Sequence, residues 1–449
     1  PTSAAGTAVI APKAITLNAP AISKVYDRTL AYTASAGDLS SLSAALVEGD
    51  TVTGASFSYA DKNAGNGNKT VNFGAATLSD GNGGANYSVT LAGNSNSSIT
   101  PRVLNASATG VDRVYDTSTN AGVTLQDDRI AGDVLTLSNT SASFADKNAG
   151  SNKVVTVNGI AAGGADAGNY TLAATTATTK ASIAQATLQV TGVSAQDRSY
   201  DTSRNAALTG TAVVTALGSD IVNVTGTGIG QFADKNAGTG KAITVSGYTS
   251  SDSNYVLLQP TGLSATVTPA VLALSGLDLG VSKTYDGSTS VNVTGAPTVS
   301  GLGKETVTVI GAGTGQFADK NAGNGKAISV SGFTSSDSNY TIGQQAGLTG
   351  SITPAQLTLG PVTATTRSYD GSTAAQIDAA SYALTGLVSG ESVLVNKTAG
   401  SFDSRNAGNR TVSLGLAGAD YTAGANGARS NYLLPTLATG SGGITPKAI

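Results

Sequence analysis

Four aspartates that recur at one point of an internal repeat have the residue type and spacing best suited to chemistry. Each precedes an Asn-Tyr pair: Asp80, Asp166, Asp252 and Asp337. Carboxylates are the oxygen ligands that Ca²⁺ takes in proteins, and extracellular arrays of β domains often stiffen their joints with this ion. The fifth copy of the repeat has Arg429 where the acid would stand. We therefore expect no bound metal and no other cofactor, and calcium is the alternative.

A second recurring group contains the residue types of an isopeptide cross-link, in which a lysine amine joins an Asn or Asp side chain. In the first copy these residues are Asp61, Lys62 and Asn63, and in the fifth copy Arg405 replaces the lysine. Neighbours within one tight loop are poor partners for such a bond. We expect no cross-link, and intact mass tests this because each bond releases one ammonia.

The chain lacks residue types on which catalysis commonly depends. Histidine and cysteine are both absent, which excludes Ser-His and Cys-His nucleophile systems. The glycine-rich stretches 226–230 and 311–315 resemble phosphate loops, but no strand–turn–helix pattern surrounds them, so we interpret them as surface loops or bulges. We expect a protein that is not an enzyme, with no catalytic residue and no cofactor-binding residue.

These residues belong to a pattern that is written five times. Each copy opens with a Tyr-Asp pair, and successive pairs are 89, 85, 85 and 84 residues apart. A turn motif follows, consisting of an aromatic residue and then Asp-Lys-Asn-Ala-Gly or a close variant. An Asn-Tyr pair and a closing Ile-Thr-Pro or near variant complete the copy. A period this long indicates tandem domains, for which we predict the bounds 10–100, 101–184, 185–268, 269–353 and 354–446.

Apolar residues alternate at period two within each copy. Examples are Ile15 with Leu17, Val307 with Val309, and Ile243 with Val245. This alternation is typical of strands with one buried face. With six or seven such strands per copy and no sustained helical period, the sequence predicts an all-β tandem array of five small β-sandwich, Ig-like domains. The alternative is a β-grasp-like repeat with one short helix near Leu39 to Leu46.

The recurring motifs also have structural interpretations. Of the 22 Tyr and Phe residues, 15 occupy three positions: the Tyr-Asp pair, the aromatic of the turn motif and the Asn-Tyr pair. Large rings bury the most area per residue, so we predict that they form the cores. The Asn-Tyr tyrosine is expected to bond a nearby backbone group. The turn motif is predicted to be a hairpin loop, with Asp and Asn bonding local amides.

Charge and hydropathy exclude two classes of partner. The formal net charge is −3 without a basic run, whereas nucleic-acid binders carry a basic stripe. No apolar stretch is long enough to span a membrane as a helix. Residues 10–15 and 444–449 read IAPKAI and ITPKAI, so both ends fall at the same point of the repeat. We interpret the chain as a section of a longer array.

Together, the motifs resemble a known family. Tyr-Asp-Gly at Tyr285 and Tyr369, Phe-Ala-Asp-Lys-Asn-Ala-Gly, Ser-Asn-Tyr and Ile-Thr-Pro-Lys-Ala are similar to the YDG-type repeats of large bacterial surface adhesins. These are filamentous-haemagglutinin-like biofilm adhesins of the two-partner secretion type. The resemblance covers essentially the whole chain. Departures from its pattern are Arg28, Thr117 and Thr202 at the third-position glycine, Ser404 at the motif aspartate and Ala184 at the linker proline.

The resemblance implies a structural stalk section, secreted to the bacterial cell surface and associated with the outer membrane. Such a section extends a distal binding region for attachment, aggregation or biofilm formation, and its partners are other repeats of the same chain. The alternative is a multivalent module that binds extracellular polysaccharide or a host or neighbouring cell surface. That function needs exposed aromatic residues, and seven lie outside the recurring positions: Tyr32, Phe57, Phe73, Tyr248, Phe333, Tyr382 and Tyr421.

Overall fold

The computed structural model describes residue 6 and residues 9–278 and 281–449. Over these residues the regular secondary structure is almost entirely β-strand, with one α-helix and four short 3₁₀ turns, which confirms the prediction of an all-β tandem array. None of the helices in the described ranges is long and apolar enough to cross a membrane.

The larger sheet of the first repeat has five strands. Their order is Ser23–Val25, Asn94–Thr100, Gly65–Ser79, Thr51–Tyr59 and Ala31–Thr33. The first two strands are parallel, and every other neighbouring pair is antiparallel. The turn motif joins Thr51–Tyr59 to Gly65–Ser79, so the predicted hairpin is confirmed. The strand after the turn motif is central in the sheet, and both of its neighbours contribute to the core.

A second, two-stranded sheet accompanies the larger one. In the first repeat, Lys13–Asn18 runs parallel to Tyr87–Ala92, with Lys13 opposite Tyr87. The strand after the linker pairs in parallel with the Asn-Tyr strand in the four later repeats as well: Arg102–Leu104 with Tyr170–Leu172, Ala186–Gln189 with Tyr255–Leu258, Ala270–Leu272 with Tyr340–Ile342, and Ala355–Gln356 with Tyr432–Leu433. Period-two alternation gives the buried face of a strand but not the direction of its partner, so this parallel pairing was not predicted.

The second and third repeats contain further short strands. In the second repeat these are Ala106–Val111, Arg113–Val114, Gly122–Asp127, Thr136–Ser138, Ser141–Phe144, Gly150–Asn158, Ala161–Gly163 and Thr176–Ala184. In the third they are Thr191–Ala195, Arg198–Ser199, Asn205–Ala206, Leu208–Val213, Val224–Thr225, Ile229–Phe232, Gly238–Ser246, Thr249–Ser250 and Ser264–Thr268.

The last two repeats follow the same plan. The fourth repeat has Ser275–Leu277, Val281–Thr284, Ser290–Val291, Gly295–Thr298, Val309–Ile310, Thr314–Phe317, Gly323–Ser331, Thr334–Ser335 and Thr349–Thr353. The fifth has Thr358–Leu359, Val362–Thr363, Arg367–Ser368, Ala374–Gln376, Leu384–Thr385, Val393–Val395, Ala399–Phe402, Gly408–Gly415, Tyr421–Ala423 and Leu437–Thr445. Single 3₁₀ turns occupy Ala167–Asn169, Ala379–Ser381, Gly418–Asp420 and Arg429–Asn431.

The α-helix spans Ala36–Ser43 in the first repeat, three residues earlier than the predicted segment began. A capping box fixes its start: the Ser35 hydroxyl accepts the Asp38 amide N–H, and the Asp38 carboxylate accepts the Ser35 N–H. Such reciprocal bonds satisfy two amides that the first turn leaves free. Leu42 is buried and packs into the core of the repeat, so the helix covers one side of the sheets.

The contacts divide the chain into two compact units, and the division falls inside the third repeat. In the first unit, one buried cluster joins both sheets of repeat 1 to Leu104, Leu135 and Tyr170 of repeat 2. A second cluster joins the larger sheet of repeat 2 to Leu188 and Tyr255 of repeat 3.

In the second unit, Tyr285, Phe317 and Ile352 of repeat 4 are buried in one cluster with the core of repeat 5. At each of these three boundaries, therefore, the hydrophobic core continues from one repeat into the next.

Candidate functional site: the joint between adjacent repeats

Each joint centres on one carboxylate that the later repeat contributes. It stands at the end of a tight four-residue turn, which we call the acid loop. Its amide N–H donates to the carbonyl three residues earlier, as Glu305 does to Leu302 at 3.1 Å, and this closes a β-turn. The four joint carboxylates are Asp133, Asp220, Glu305 and Glu391. The first two joints lie in the first compact unit and the other two in the second.

Two tyrosines donate hydrogen bonds to each joint carboxylate. One is the Tyr-Asp tyrosine of the earlier repeat: Tyr285 lies 2.6 Å from Glu391 Oε1. The other is the Asn-Tyr tyrosine of the later repeat: Tyr432 lies 2.7 Å from Glu391 Oε2. The two rings meet edge to face, with centroids 5.4 Å apart. The remaining joints repeat this arrangement with Tyr26 and Tyr170 on Asp133, Tyr115 and Tyr255 on Asp220, and Tyr200 and Tyr340 on Glu305.

A cation from the earlier repeat completes three of the joints. The lysine of the turn motif forms an ion pair with the joint carboxylate, at 2.8 Å both for Lys147 with Asp220 and for Lys320 with Glu391. Lys235 contacts Glu305 in the same way. The Glu391 side chain is only 3% exposed, so its charge needs these partners to offset the loss of water.

The first joint uses a different cation. Arg28, the third residue of the first Tyr-Asp motif, places Nε 3.1 Å from Asp133 Oδ1. Asp133 Oδ1 accepts no hydrogen bond at this contact, so the attraction between the two groups is ionic. The guanidinium also donates to the carbonyls of Ala131 and Gly132 in the acid loop, at 2.7 and 3.2 Å. Arg28, which stands where the family pattern has glycine, therefore makes contacts across this joint.

At three of the joints, the contacts lower the pKa of the acid. The hydrogen bond from Lys147, with those from two tyrosines, lowers the pKa of Asp220 to about 2. Lys235 and two tyrosines lower the pKa of Glu305 to about 2 as well. Burial opposes the ionisation of Glu391, yet the hydrogen bonds from Lys320 and two tyrosines leave its pKa below the usual range. These three carboxylates are therefore charged at neutral pH.

The tyrosines are shifted upwards. Burial, followed by the hydrogen bond to the neighbouring carboxylate, raises the pKa of Tyr255 and Tyr340 to about 12. Burial is also the largest cause of the raised pKa of Tyr285. Each of these hydroxyls therefore stays protonated and donates a hydrogen bond to the carboxylate.

A second contact lies at the hairpin of the turn motif. The asparagine of the later Asn-Tyr pair inserts against this hairpin, and its side-chain oxygen accepts the alanine N–H of the motif. For Asn254 and Ala149 this distance is 2.7 Å. The Asn254 amide nitrogen also donates to the Asn148 side chain, at 3.2 Å. The same pair of bonds links Asn169 to residues 63 and 64, Asn339 to residues 236 and 237, and Asn431 to residues 321 and 322.

The hairpin prediction is therefore correct but incomplete. The motif aspartate accepts a local amide, as Asp146 does from Asn148 at 2.8 Å, and it forms an ion pair with Lys153 on the following strand. The motif asparagine, which we expected to bond nearby amides, instead faces the next repeat. The Asn-Tyr tyrosine bonds a backbone group as predicted, since Tyr432 accepts the N–H of Val388 at 3.1 Å.

Backbone strain lies at the third residue of the Tyr-Asp motif. Gly287 and Gly371 have φ values of 80° and 82°, and the same left-handed conformation is imposed on Arg28, Thr117 and Thr202. This region disfavours side chains, β-branched ones most of all. The glycine is also close to the next repeat, because a Cβ built on Gly287 would lie 2.6 Å from Val388 Cγ1.

A basic residue two positions before each Tyr-Asp tyrosine was not singled out by sequence. Arg198 pairs with Asp201 and lies over the ring of Phe232, 5.2 Å from its centroid. It also donates to the Ser203 carbonyl at 2.6 Å. These contacts fix the Tyr-Asp turn that presents the joint tyrosine.

The first and fifth repeats each present half of a joint that no other described repeat covers. Tyr369 of repeat 5 is 36% exposed, whereas Tyr285 is 4% exposed. Asn86 of repeat 1 is exposed, whereas Asn254 is 6% exposed. Of the 15 recurring aromatics predicted to be core, the other 14 are buried. Burial at Tyr369 therefore depends on a following repeat.

The candidate calcium ligands are engaged with backbone amides. Asp80 accepts the N–H groups of Asn82, Gly84 and Asn86, and Asp252 accepts that of Asn254. Within the described ranges, no three acidic or histidine residues gather as a metal site would require. The structure does not bring the four aspartates together.

The other candidates also have structural explanations. The glycine-rich stretches accommodate aromatic rings, since a Cβ on Gly228 or Gly313 would lie 2.3 Å from the ring of Tyr248 or Phe333. None of the seven aromatic residues proposed for ligand binding is exposed, and Phe57 and Tyr421 are buried. In repeats 2 to 4, the lysine of the turn motif faces a carboxylate of the next repeat rather than its loop neighbours.

Five consecutive segments of the chain match one known domain family. A family model described as the YDG domain matches residues 11–96, 100–179, 184–262, 268–347 and 353–439. The chain belongs to the YDG domain family. The five matches establish the chain as a tandem YDG array. The tyrosine of its Tyr-Asp motif and the asparagine of its Asn-Tyr pair are recurring residues that meet at the joints.

Other comparisons are remote. No curated protein matches the chain. The crystal structure of Drosophila N-cadherin EC1-4 aligns over 97% of this chain and all of that one, at 10% identity and a TM-score of 0.16. A structure on Dscam isoform specificity covers 78% of this chain and 98% of that one, at 8% identity and a TM-score of 0.12. Likeness at this level does not establish a shared fold.

Proposed function

We propose that this YDG array is a stalk section of an extracellular bacterial adhesin. In this function it extends a distal binding region from the cell surface for attachment, aggregation or biofilm formation. The observation that carries the proposal is that the recurring residues build the joints between repeats. A stalk needs joints more than it needs a ligand site.

The joints are suited to fixing the orientation of each repeat relative to the next one. Each has two contacts well apart in sequence, one at the carboxylate and one at the asparagine, and two contacts resist rotation better than one. The hydrophobic clusters that run through three of the boundaries add to this. Proline at the closing Ile-Thr-Pro or its Val-Thr-Pro variant, as at Pro354 and Pro269, fixes φ in the linker.

The array is proposed to lack enzymatic activity, bound metal and other cofactors, and to lie at the outer surface of the cell. Its acids, lysines and tyrosines are occupied with one another at the joints. The polysaccharide-binding alternative is the less favoured of the two, because two of the seven aromatic residues it requires are buried and the other five are only partly exposed.

Small-angle scattering tests the stalk. With strands aligned along the array, five repeats are expected to give a maximum dimension of roughly 150–200 Å. A particle well below that length contradicts the proposal. A glycan array with the same protein provides the second measurement: saturable binding would favour the multivalent module instead.

A further inference from the structure

The strands by which the chain enters and leaves a repeat both lie in parallel ladders. We propose that the repeats bear tension along the chain, because a pull through the two linkers of a repeat loads these ladders in shear. This inference rests on strand pairing inside the repeats and not on the stalk function.

The linkers leave little slack between repeats. A single residue separates the last strand of a repeat, which we call the exit strand, from the first strand of the next repeat. In repeat 4 the exit strand is Thr349–Thr353, Pro354 follows, and Ala355–Gln356 begins repeat 5. Pro101 and Pro269 are the single residues at two other boundaries. Tension therefore passes from an exit strand directly into the next repeat.

The exit strand is held by a parallel neighbour, which is the strand that leads into the Tyr-Asp turn. In repeat 4 this neighbour is Val281–Thr284, and four residue pairs face each other. We call this pairing the exit ladder. The other repeats have it as well: Ser23–Val25 with Asn94–Thr100, Arg113–Val114 with Thr176–Ala184, Arg198–Ser199 with Ser264–Thr268, and Arg367–Ser368 with Leu437–Thr445.

The first strand of each repeat is also held in parallel, by the Asn-Tyr strand. In repeat 4, Ala270–Leu272 pairs with Tyr340–Ile342. The Ala270 N–H extends this ladder towards the linker by donating to the Asn339 carbonyl at 2.9 Å. The strand that receives tension from the preceding repeat is therefore bonded along its whole length.

The parallel direction decides how tension acts on these ladders. A pull through the linkers draws the start of the first strand and the end of the exit strand in opposite directions. Parallel partners then slide along each other, and their evenly spaced bonds bear the load together. In an antiparallel pair the two loaded ends would lie at one edge, and the bonds would break one at a time. Resistance to forced unfolding is set by the unfolding rate, which is low when several bonds break together.

The closing Ile-Thr-Pro motif reinforces the exit ladder. Its isoleucine is in the core, since Ile352 is 1% exposed. The Thr353 carbonyl accepts the Tyr285 N–H at 2.8 Å, and the Thr353 hydroxyl donates to the Lys283 carbonyl at 3.2 Å. The same hydroxyl bond recurs at Thr100, Thr268 and Thr445. The motif thus ties the last residue before the linker to the neighbouring strand.

A glycine allows the two strands of the exit ladder to approach each other. A Cβ built on Gly350 would overlap the carbonyl oxygen of Val281, its partner across the ladder. Gly315 offers a matched control in the antiparallel pair at the other edge of the same sheet. A Cβ there would lie 2.8 Å from Val291 Cγ1. Both substitutions disturb packing, but only the first one disturbs a ladder that carries load.

Single-molecule force spectroscopy on the full chain tests the proposal. A repeat of 85 residues should lengthen the chain by roughly 250–270 Å when it unfolds. In Gly350→Ala, one repeat should unfold at a lower force than in the parent chain and become the first to yield. Gly315→Ala should leave the unfolding forces unchanged, even where both variants lower the melting temperature. Equal forces in the two variants overturn the proposal.

A milder pair of variants covers the case in which Gly350→Ala does not fold. Thr353→Val removes only the hydroxyl bond, and should make one repeat unfold about two- to tenfold faster at constant force. Thr334→Val is the control, because its hydroxyl donates to the Ile310 carbonyl at 3.5 Å outside both ladders. An unchanged rate in Thr353→Val, or the same increase in both variants, contradicts the proposal.

The direction of pulling provides a third measurement. The chain has no cysteine, so the double variant Thr314→Cys/Ser331→Cys defines two attachment points. Both residues are exposed and face each other across an antiparallel pair, which a pull at these points separates bond by bond. Repeat 4 should yield at a lower force there than through its linkers. An equal or higher force overturns load bearing in shear, and it leaves the stalk proposal, which scattering tests, intact.

Discussion

Tyr285 and Tyr369 stand at the same position of successive repeats. They differ because a following repeat covers Tyr285, whereas no described repeat covers Tyr369. Tyr285 donates to Glu391 at 2.6 Å, whereas Tyr369 is 36% exposed. A hydrogen bond to a charged group contributes about 1.5–3 kcal/mol. We predict that Tyr285→Phe destabilises the fourth joint by about that amount, and that Tyr369→Phe changes stability little.

Native-state hydrogen exchange over residues 388–391 is the measurement, since an array of this size is not expected to unfold in two states. Faster exchange in Tyr285→Phe alone supports the role of the hydroxyl. Equal effects in both variants would contradict it, because the two tyrosines share their local surroundings and differ only in the following repeat.

Gly287 and Gly371 form a second matched pair. Their φ values of 80° and 82° give both the same strain on substitution, about 1 kcal/mol. A Cβ on Gly287 would also approach Val388 to 2.6 Å, while Gly371 has open space. We predict that Gly287→Ala lowers the free energy of unfolding by about 1 kcal/mol more than Gly371→Ala does, because overpacking adds to strain.

Native-state hydrogen exchange in the two variants measures the difference, since it reports local opening free energies without two-state unfolding. If the two variants lose the same stability, the third position of the motif acts through its own backbone and not through the joint.

At the residue scale, the sequence predicted that the aromatic rings are buried, but it did not predict the hydrogen bonds of the tyrosine hydroxyls. The Tyr-Asp tyrosines of the first four repeats are buried as expected, but they are also hydrogen-bond donors, and their acceptors lie 105 to 107 residues further along the chain. No local pattern connects residues so far apart. One sign was present in the composition: of only three glutamates, Glu305 and Glu391 occupy the same position of two repeats.

Among the elements, the hairpin of the turn motif is the one whose role changes most between sequence and structure. Its strands, register and aspartate follow from turn chemistry, whereas its alanine N–H is satisfied by another repeat. Asn254 accepts the Ala149 N–H at 2.7 Å. A buried donor left without an acceptor costs about 1–3 kcal/mol.

We predict that Asn254→Ala accelerates amide exchange at Ala149 and lowers stability by about that amount. The matched control is Asn86→Ala, which removes the same side chain from a position that is exposed and therefore should have a smaller effect. Unchanged exchange at Ala149 in Asn254→Ala would show that water replaces the asparagine without loss.

Strand pairing shows a different limit of prediction. The alternation of Ile15 with Leu17 correctly indicated a strand with one buried face, and Lys13–Asn18 is that strand. Its parallel partner, Tyr87–Ala92, begins some seventy residues later. Parallel pairing requires a long crossover, and nothing in either segment alone specifies it.

For the whole molecule, the joint acids predict how stability depends on pH. Asp220 and Glu305 have pKa values of about 2 in the folded chain, below their ordinary values of 3.8 and 4.5. A depressed pKa contributes stability that is present above the unfolded value and is lost as pH falls through the folded one. We predict that the melting temperature is constant down to about pH 4.5 and falls steeply towards pH 2.

The double variant Asp220→Asn/Glu305→Gln provides the control. It should melt lower than the parent at neutral pH and lose less on acidification, since its two amides do not titrate. An acid slope that is identical in parent and variant would assign the pH dependence to groups outside the joints.

Metal dependence is a second property of the whole chain. Because Asp80 and Asp252 already accept backbone amides, we predict that EDTA and added Ca²⁺ leave the melting temperature unchanged. Differential scanning calorimetry with each addition measures this. A decrease of several degrees in EDTA would show that calcium is bound, and would reopen the role of the four aspartates.

Each repeat carries an acid loop with its asparagine for the repeat before it and a Tyr-Asp turn with its hairpin for the repeat after it. Removing or duplicating a whole repeat in register therefore creates a new boundary at which a donor again meets an acceptor. The Asp and Glu acids, and the Arg and Lys cations, substitute for one another at these boundaries. Genes for such arrays can consequently gain or lose repeats by recombination and still encode a chain in which every internal boundary is satisfied.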